Sequence, residues 1–275
     1  MKKLMIAAAA AVCGSVFALE SANVVGYQTK ATPQNKFMIG TVPFEACDGS
    51  MQINKLISGL TPVEIDWENP TDFYAIAPQL QIWNGSSYDM AYYVSNAWYD
   101  NNTEDGAFTE GWCDGDGLLR TDYEFTPGGA YWVKNVPDSK SLQVSGAIKS
   151  TDSVTFACPT SFMLAGNAYP VAINLNSGTE MTSTDIKAVE IDWEDPTAYY
   201  ATATQMQIWN GSSYDMAYYV SNAWYDNNTE DGAFTEGWCD GDGLLRTDYT
   251  IPVGNGFWIK ATSGACNLVF DNPIK

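Results

Sequence analysis

Histidine is absent from the 275 residues. Its absence excludes Ser-His-Asp hydrolysis, Cys-His proteolysis, HExxH zinc chemistry and haem held by histidine. Cations are scarce as well: 13 Lys and Arg face 33 Asp and Glu, for a formal charge of −20. Phosphate binding needs clustered Lys and Arg, so a nucleic-acid partner is excluded, and docking on anionic lipid is disfavoured. Long apolar runs are lacking too. The longest, Leu4 to Val12, falls short of the ~18–20 residues that span a bilayer. Because 45% of the chain is apolar and only 17% charged, it can nonetheless bury a sizeable core and is not a disordered acidic tail.

The first residues read as an export signal. Lys2 and Lys3 supply a positive start, Leu4 to Val12 an apolar stretch, and Val16-Phe17-Ala18 a small-x-small cleavage site. Cys13 would be a lipoprotein cysteine in a rival reading, which the branched Val12 before it opposes. Cleavage after Ala18 leaves 257 residues and removes two lysines but no acid, taking the charge to −22. The expected location of the mature chain is secreted, periplasmic or cell-surface, with no transmembrane segment.

An internal repeat sets the organisation. Gln81 to Tyr123 recurs without a change as Gln207 to Tyr249, a shift of 126. The match runs back through Val63–Glu68 onto Val189–Glu194 and forward, more loosely, from Tyr131-Trp132-Val133-Lys134 onto Phe257-Trp258-Ile259-Lys260. Upstream, Phe37-Met38-Ile39-Gly40 answers Phe162-Met163-Leu164-Ala165 at a shift of 125. Each copy holds five tryptophans, expected to build its interior. The expected division is a signal over 1–18 and two homologous domains over 19–147 and 148–275, each of ordinary domain size.

Local patterns predict an all-β fold. Val63, Ile65 and Trp67 alternate with Glu64, Asp66 and Glu68, as in a half-buried strand. Ile82-Trp83, Asn84-Gly85 and Tyr88-Asp89-Met90 predict a hairpin, because Asn-Gly takes the positive φ of tight turns. Pro127-Gly128-Gly129 and Pro252 to Gly256 mark turns feeding strands. Leu142-Gln143-Val144 and Leu268-Val269-Phe270 look like closing strands. Short helices are expected only near Met51 to Leu60 and Ser183 to Ala188. The expectation is two tandem small β-sandwich or barrel domains.

The order Phe37-Met38-Ile39-Gly40, Ile82-Trp83-Asn84-Gly85-x-x-Tyr88, Trp98-Tyr99, Pro127-Gly128-x-x-Tyr131-Trp132-Val133 resembles a β module repeated in uncharacterised secreted and surface proteins of bacteria. Those proteins often open on a signal followed by a segment like Ser21-Ala22-Asn23-Val24-Val25-Gly26-Tyr27. The resemblance covers nearly the whole mature chain. It implies an extracellular, non-catalytic β module and assigns no ligand residues.

Three chemistries remain open to the residues. Each identical block carries eight acids and one cation, Arg120 or Arg246. Acidic, glycine-bearing loops of this kind suit calcium, which takes six to eight oxygen ligands. The candidate metal ligands are Asp100, Glu104, Asp105, Asp114 and Asp116, with Asp226, Glu230, Asp231, Asp240 and Asp242 in the second copy; neither loop has EF-hand spacing. A solvated acidic rim is the alternative. Aromatic residues among Asn, Asp and Ser suit the apolar face and hydroxyls of a sugar. The candidates are Trp83, Tyr88, Trp98 and Tyr99, repeated as Trp209, Tyr214, Trp224 and Tyr225, and packing is the competing role for all of them. Catalysis would have to rest on carboxylates, as in a glycosidase, with Glu64, Asp66 and Glu68 in view. Five cysteines follow the signal. Cys158 and Cys266 have no counterparts in the first copy, where Thr32-Pro33 and Lys140 stand, so they are expected to bond to each other.

The function expected from sequence is a non-catalytic secreted or surface protein with a structural, adhesive or assembly role, its partner being another copy of itself. The alternative is a calcium-assisted carbohydrate-binding protein whose partner is a polysaccharide.

Overall fold

The computed structural model describes residues 25–84, 86–98, 108–176, 178–224, 234–262 and 264–273. The signal segment 1–18 lies outside the described residues. In the first half the elements are β1 (Val25–Thr32), β2 (Phe37–Thr41), β3 (Phe44–Glu45), α1 (Ile53–Leu56), β4 (Ile57–Ser58), α2 (Phe73–Ile76), β5 (Gln79–Trp83), β6 (Tyr88–Trp98), β7 (Phe108–Cys113), β8 (Ala130–Lys134) and β9 (Lys140–Ile148). The second half follows with β10 (Ser153–Cys158), β11 (Phe162–Gly166), β12 (Ile173–Asn174), β13 (Met181–Thr184), β14 (Val189–Glu190), a 3₁₀ turn at Ala198–Ala201, β15 (Thr204–Trp209), β16 (Tyr214–Trp224), β17 (Phe234–Cys239), β18 (Thr250–Ile251), β19 (Gly256–Lys260) and β20 (Cys266–Asp271). The protein is all-β, its helical content confined to single turns, and no helix among the described residues is long and apolar enough to cross a membrane.

One strand order occurs twice. The larger sheet runs β2-β8-β5-β6-β7 in the first half and β11-β19-β15-β16 in the second, where β17 also pairs with β16. The smaller sheet is β1-β9-β3, with β4 also on β9, and its counterpart is β10-β20-β13. Alternation explains how the two sheets face one another. Leu80 and Ile82 on β5, Val133 on β8, and Leu142 and Val144 on β9 point into one apolar cluster with Phe44, Trp112 and Tyr131. Met206, Ile208, Phe257, Ile259, Leu268, Phe270 and Trp238 do the same in the second half.

The halves meet along a seam with pseudo-twofold character. Gly166 N–H donates to Gly128 O at 2.9 Å, and Thr41 N–H donates to Gly254 O at 3.1 Å. Thr41 and Gly166 are repeat equivalents, as are Gly128 and Gly254. Trp83 meets Trp258 at 5.9 Å, and the equivalent pair, Trp132 with Trp209, stands at 6.1 Å. Ile39, Ala130 and Leu164 fill the space between. The crossing requires glycine on one side, because a Cβ on Gly166 would sit 2.5 Å from the Thr41 Cβ.

Three expectations are corrected. Residues 63–68 do not form a strand: Val63 makes one parallel bridge to Val94, after which Asp66 Oδ1 accepts the Glu68 N–H at 2.9 Å and turns the chain. The second copy keeps only the two-residue β14 there. The segment 183–188 is not helical, since Met181–Thr184 pairs with β20, whose partner residues Leu268 and Phe270 anchor the second core. The hairpin expected around Asn84 is present, β5 pairing with β6 up to Trp83 and Tyr88, with Asn84 Oδ1 accepting the N–H groups of Ser86 and Ser87, and in the second copy Gly211 takes φ +101°. Finally, of the ten indoles only Trp112 and Trp238 sit fully inside.

Candidate functional site

The outer edge of each larger sheet carries an exposed aromatic cluster, built from the end of β6 and the turn after β7. Asp114 organises that turn: its Oδ1 accepts the N–H groups of Asp116 (2.9 Å) and Leu118 (3.1 Å), and its backbone N–H donates to Leu118 O at 2.9 Å. Gly117 takes φ +78° at the tip, and a Cβ there would lie 2.7 Å from the Trp67 ring. The turn then grips β6, with Trp98 N–H donating to Gly117 O and Leu119 N–H donating to Trp98 O, both at 2.8 Å. The Tyr74 hydroxyl of α2 donates to Gly115 O and ties the turn to that helix. Above this frame Trp67 and Trp98 stand edge to face at 5.9 Å, and Phe108 completes the cluster at 5.7 and 6.1 Å. Trp98 is 42% exposed and Phe108 55%.

The second half repeats the arrangement. Trp193 and Trp224 stand at 6.0 Å and 87°, Asp240 Oδ1 accepts from Asp242 and Leu244, and the Tyr200 hydroxyl donates to Gly241 O. Because the seam uses the β2–β8 and β11–β19 edges, the two clusters occupy edges of the sheets turned away from it.

The structure divides the sequence-derived aromatic set between two places. Trp98 and Trp224 join the outer clusters, whereas Trp83, Tyr88, Trp209 and Tyr214 line the seam. There the indole N–H of Trp132 reaches the Tyr88 hydroxyl and that of Trp258 reaches Tyr214, while burial raises both phenol pKa values. Tyr99 and Tyr225 lie outside the described residues. Two equivalent recesses open at the seam. One, near 100 Å³, is filled in by Phe125, Phe156 and Met163, and the Trp83 N–H meets Met163 Sδ at 3.2 Å. The other, near 270 Å³, is lined by Lys30, Met38, Trp209, Asn210, Asp215 and Asn255. Burial pushes the Lys30 amine down to about 8; it donates to Ile39 O, to Gly254 O at 3.3 Å and to Asn255 Oδ1 at 2.7 Å.

Of the proposed metal ligands, Asp100, Glu104, Asp105, Asp226, Glu230 and Asp231 lie outside the described residues. Asp114 and Asp240 are engaged: beyond their turn contacts, each accepts a guanidinium N–H, from Arg120 at 3.2 Å and Arg246 at 3.4 Å. Asp116 is exposed at the turn. Each arginine also clamps a second acid with two hydrogen bonds, Arg120 on Asp122 at 2.7 and 2.5 Å, which holds the Asp122 carboxyl below its usual range. Each guanidinium also lies over a ring, Tyr123 at 4.1 Å or Tyr249 at 4.4 Å. Among the described residues no three metal-ligating side chains converge. Glu64 and Glu68 are exposed, and Asp66 is held in its turn by the Glu68 N–H and by Asn69 Nδ2 at 3.0 Å, which lowers its pKa. Cys158 and Cys266 stand directly opposite each other on β10 and β20.

Sequence reasoning missed Trp67, Phe108 and Trp193 as members of the outer clusters. A signal existed, since Trp67 recurs as Trp193 beside the identical block, but the strand reading of 63–68 assigned it to a core. No family model, curated protein or solved structure matches the chain.

Proposed function

We propose that the mature chain is an exported, non-catalytic protein of two tandem β units, 19–147 and 148–275, with an adhesive or assembly role. One observation carries the reading: the Trp67–Trp98–Phe108 cluster and its Trp193–Trp224 repeat are exposed on outer edges, while Trp112 and Trp238 are buried in the cores and Trp83, Trp132, Trp209 and Trp258 pack in the seam. In the first half Trp98 and Phe108 together leave about 200 Å² of ring surface in water, worth roughly 5 kcal/mol if fully covered. Two such faces on one chain give a multivalent partner avidity without new contacts. The strongly negative surface keeps the exposed rings soluble and discourages wrong partners.

The second reading, calcium-assisted binding of a polysaccharide, draws on the same rings, since Trp98 and Trp224 stand exposed beside Asp-bearing turns. Sedimentation over a concentration series, run with Trp98→Ala/Trp224→Ala alongside, separates the two. Self-association lost in the double variant supports assembly. Retention on an insoluble polysaccharide by a chain that stays monomeric supports the carbohydrate reading, and a monomer retained on nothing refutes both.

A further inference from the structure

We infer that Cys158 and Cys266 form a structural disulfide across β10 and β20, a covalent staple that the first half lacks. The register pairs them directly, Cys158 opposite Cys266, at the ends of both strands. Residues directly opposite in an antiparallel pair have Cα atoms about 4.5 or 5.5 Å apart, and both values fall inside the ~4.4–6.8 Å window of disulfides. Both side chains point inward, at 1% and 4% exposure, into the cluster formed by Phe156, Leu268 and Phe270. Each thiol is within hydrogen-bonding reach of the other.

The three other described cysteines cannot compete. Cys47 is exposed in the turn after β3, Cys113 belongs to the cluster around Ile65 and Phe73, and Cys239 to the one around Ile191 and Tyr199. The first half shows what the staple replaces. Thr32 and Lys140 occupy the equivalent register positions, and the Thr32 hydroxyl donates to Lys140 O at 2.7 Å. The two cysteines thus occupy both sides of one cross-strand position.

The chemistry balances with a small disulfide as oxidant, of the kind found outside the cytoplasm. The Cys266 thiolate attacks one sulfur of oxidised glutathione and releases a glutathione thiolate. The Cys158 thiolate then attacks the Cys266 sulfur of the mixed disulfide and releases the second. Two thiols lose two protons and two electrons, and one glutathione disulfide becomes two thiols. Hydrogen bonding from Cys158 lowers the Cys266 pKa, which favours Cys266 as the first nucleophile, while that same contact and burial raise Cys158.

The full chain, refolded with oxidised glutathione, is unfolded in guanidinium without reductant, alkylated, digested and mapped by mass spectrometry. The expected result is one bridged peptide pair, Cys158–Cys266, with Cys47, Cys113 and Cys239 alkylated. The loop closed by the bridge, 158 to 266, is long, so Cys158→Ala/Cys266→Ala is expected to lower Tm by roughly 10 °C or more against the oxidised protein. Alkylation of both cysteines before reduction, or a bridge from either one to Cys47, Cys113 or Cys239, overturns the inference. The map is read on the unmodified chain, so it stands even if the double variant does not fold.

Discussion

Lys149 offers the sharpest energetic test of the seam. It lies between the halves at 4% exposure, and its ammonium donates to Phe44 O at 3.1 Å and Ala168 O at 3.5 Å, carbonyls on opposite sides. Burial lowers its pKa from 10.5 to about 8, against a weaker upward pull from Glu45. A lysine whose folded pKa is depressed disfavours folding as long as both states hold the proton. Above pH 8 the folded state releases its proton while the unfolded chain keeps it up to 10.5, so stability from this group rises with pH. Between pH ~7 and ~9.5 the gain is about 2 kcal/mol. Cys113 and Cys239, pushed up to about 12 by burial, act with the opposite sign over the same range, so the wild-type curve alone does not isolate Lys149. Lys149→Met removes the titration and keeps the apolar stem. Urea unfolding of both proteins at the two pH values gives a double difference from which the shared thiols and phenols cancel. Wild type is expected to gain about 2 kcal/mol over the variant on going to the higher pH. A double difference below about 0.5 kcal/mol would refute the assignment of Lys149 as a desolvated ammonium in the seam.

Asn54→Ala is expected to cost about 2–3 kcal/mol in urea unfolding, because its amide accepts the Trp112 N–H at 2.7 Å and donates to Arg120 O at 2.8 Å and Trp112 O at 3.2 Å. Asn176→Ala, which breaks the same three contacts with Trp238 and Arg246, should cost as much, and a loss under about 0.5 kcal/mol at either site would show that the turn holds without its amide. Excess chelator is expected to leave the melting curve in place, since Asp114 and Asp240 already accept N–H groups and a guanidinium; a fall in Tm would assign a metal to the acidic loops.

Much of the strand pattern was legible because burial and sequence share a period of two. Leu142 and Val144, and Leu268 and Phe270, each mark an inward face, and each pair lies on a strand. The failures have separate causes. At 63–68 the alternation was real, but Asn96 takes the Ile65 N–H and C=O and Asp66 takes the Glu68 N–H, which ends the ladder at Val63. At 183–188 a helical propensity lost to pairing with β20, a long-range contact no local window contains. The indoles were misplaced because composition says that rings must be covered without saying by what. Trp83, Trp132, Trp209 and Trp258 are covered by the opposite half, and Trp67 by a glycine turn 50 residues later. That Cys158 and Cys266 stand opposite each other was legible for the reverse reason: comparing the copies supplied the long-range neighbour that a single copy hides.

The seam also bears on what the identical block means. The block starts at Gln81, inside β5, and Leu80 just before it is replaced by Met206 although both are fully buried. Its boundary is therefore not a packing boundary, and a copying of sequence between the halves accounts for where it begins. Outside the block, besides residues 63–68 and their copy at 189–194, Phe37 and Phe162, Met38 and Met163, and Trp132 and Trp258 still match among flanking positions many of which differ. Packing explains these pairs, because in a pseudo-twofold seam each residue meets the image of its partner and a change in one copy loses a contact across the axis. Thr41 against Gly166 shows the limit of that symmetry, since the close crossing leaves room for one side chain only. The outer clusters lie away from that seam. Trp98 and Trp224, 42% and 45% exposed, lie inside the identical block, so copying already makes them agree. Whether both ends also make a contact outside the chain is read from the double tryptophan variant: loss of association shows that contact, and unchanged association refutes it.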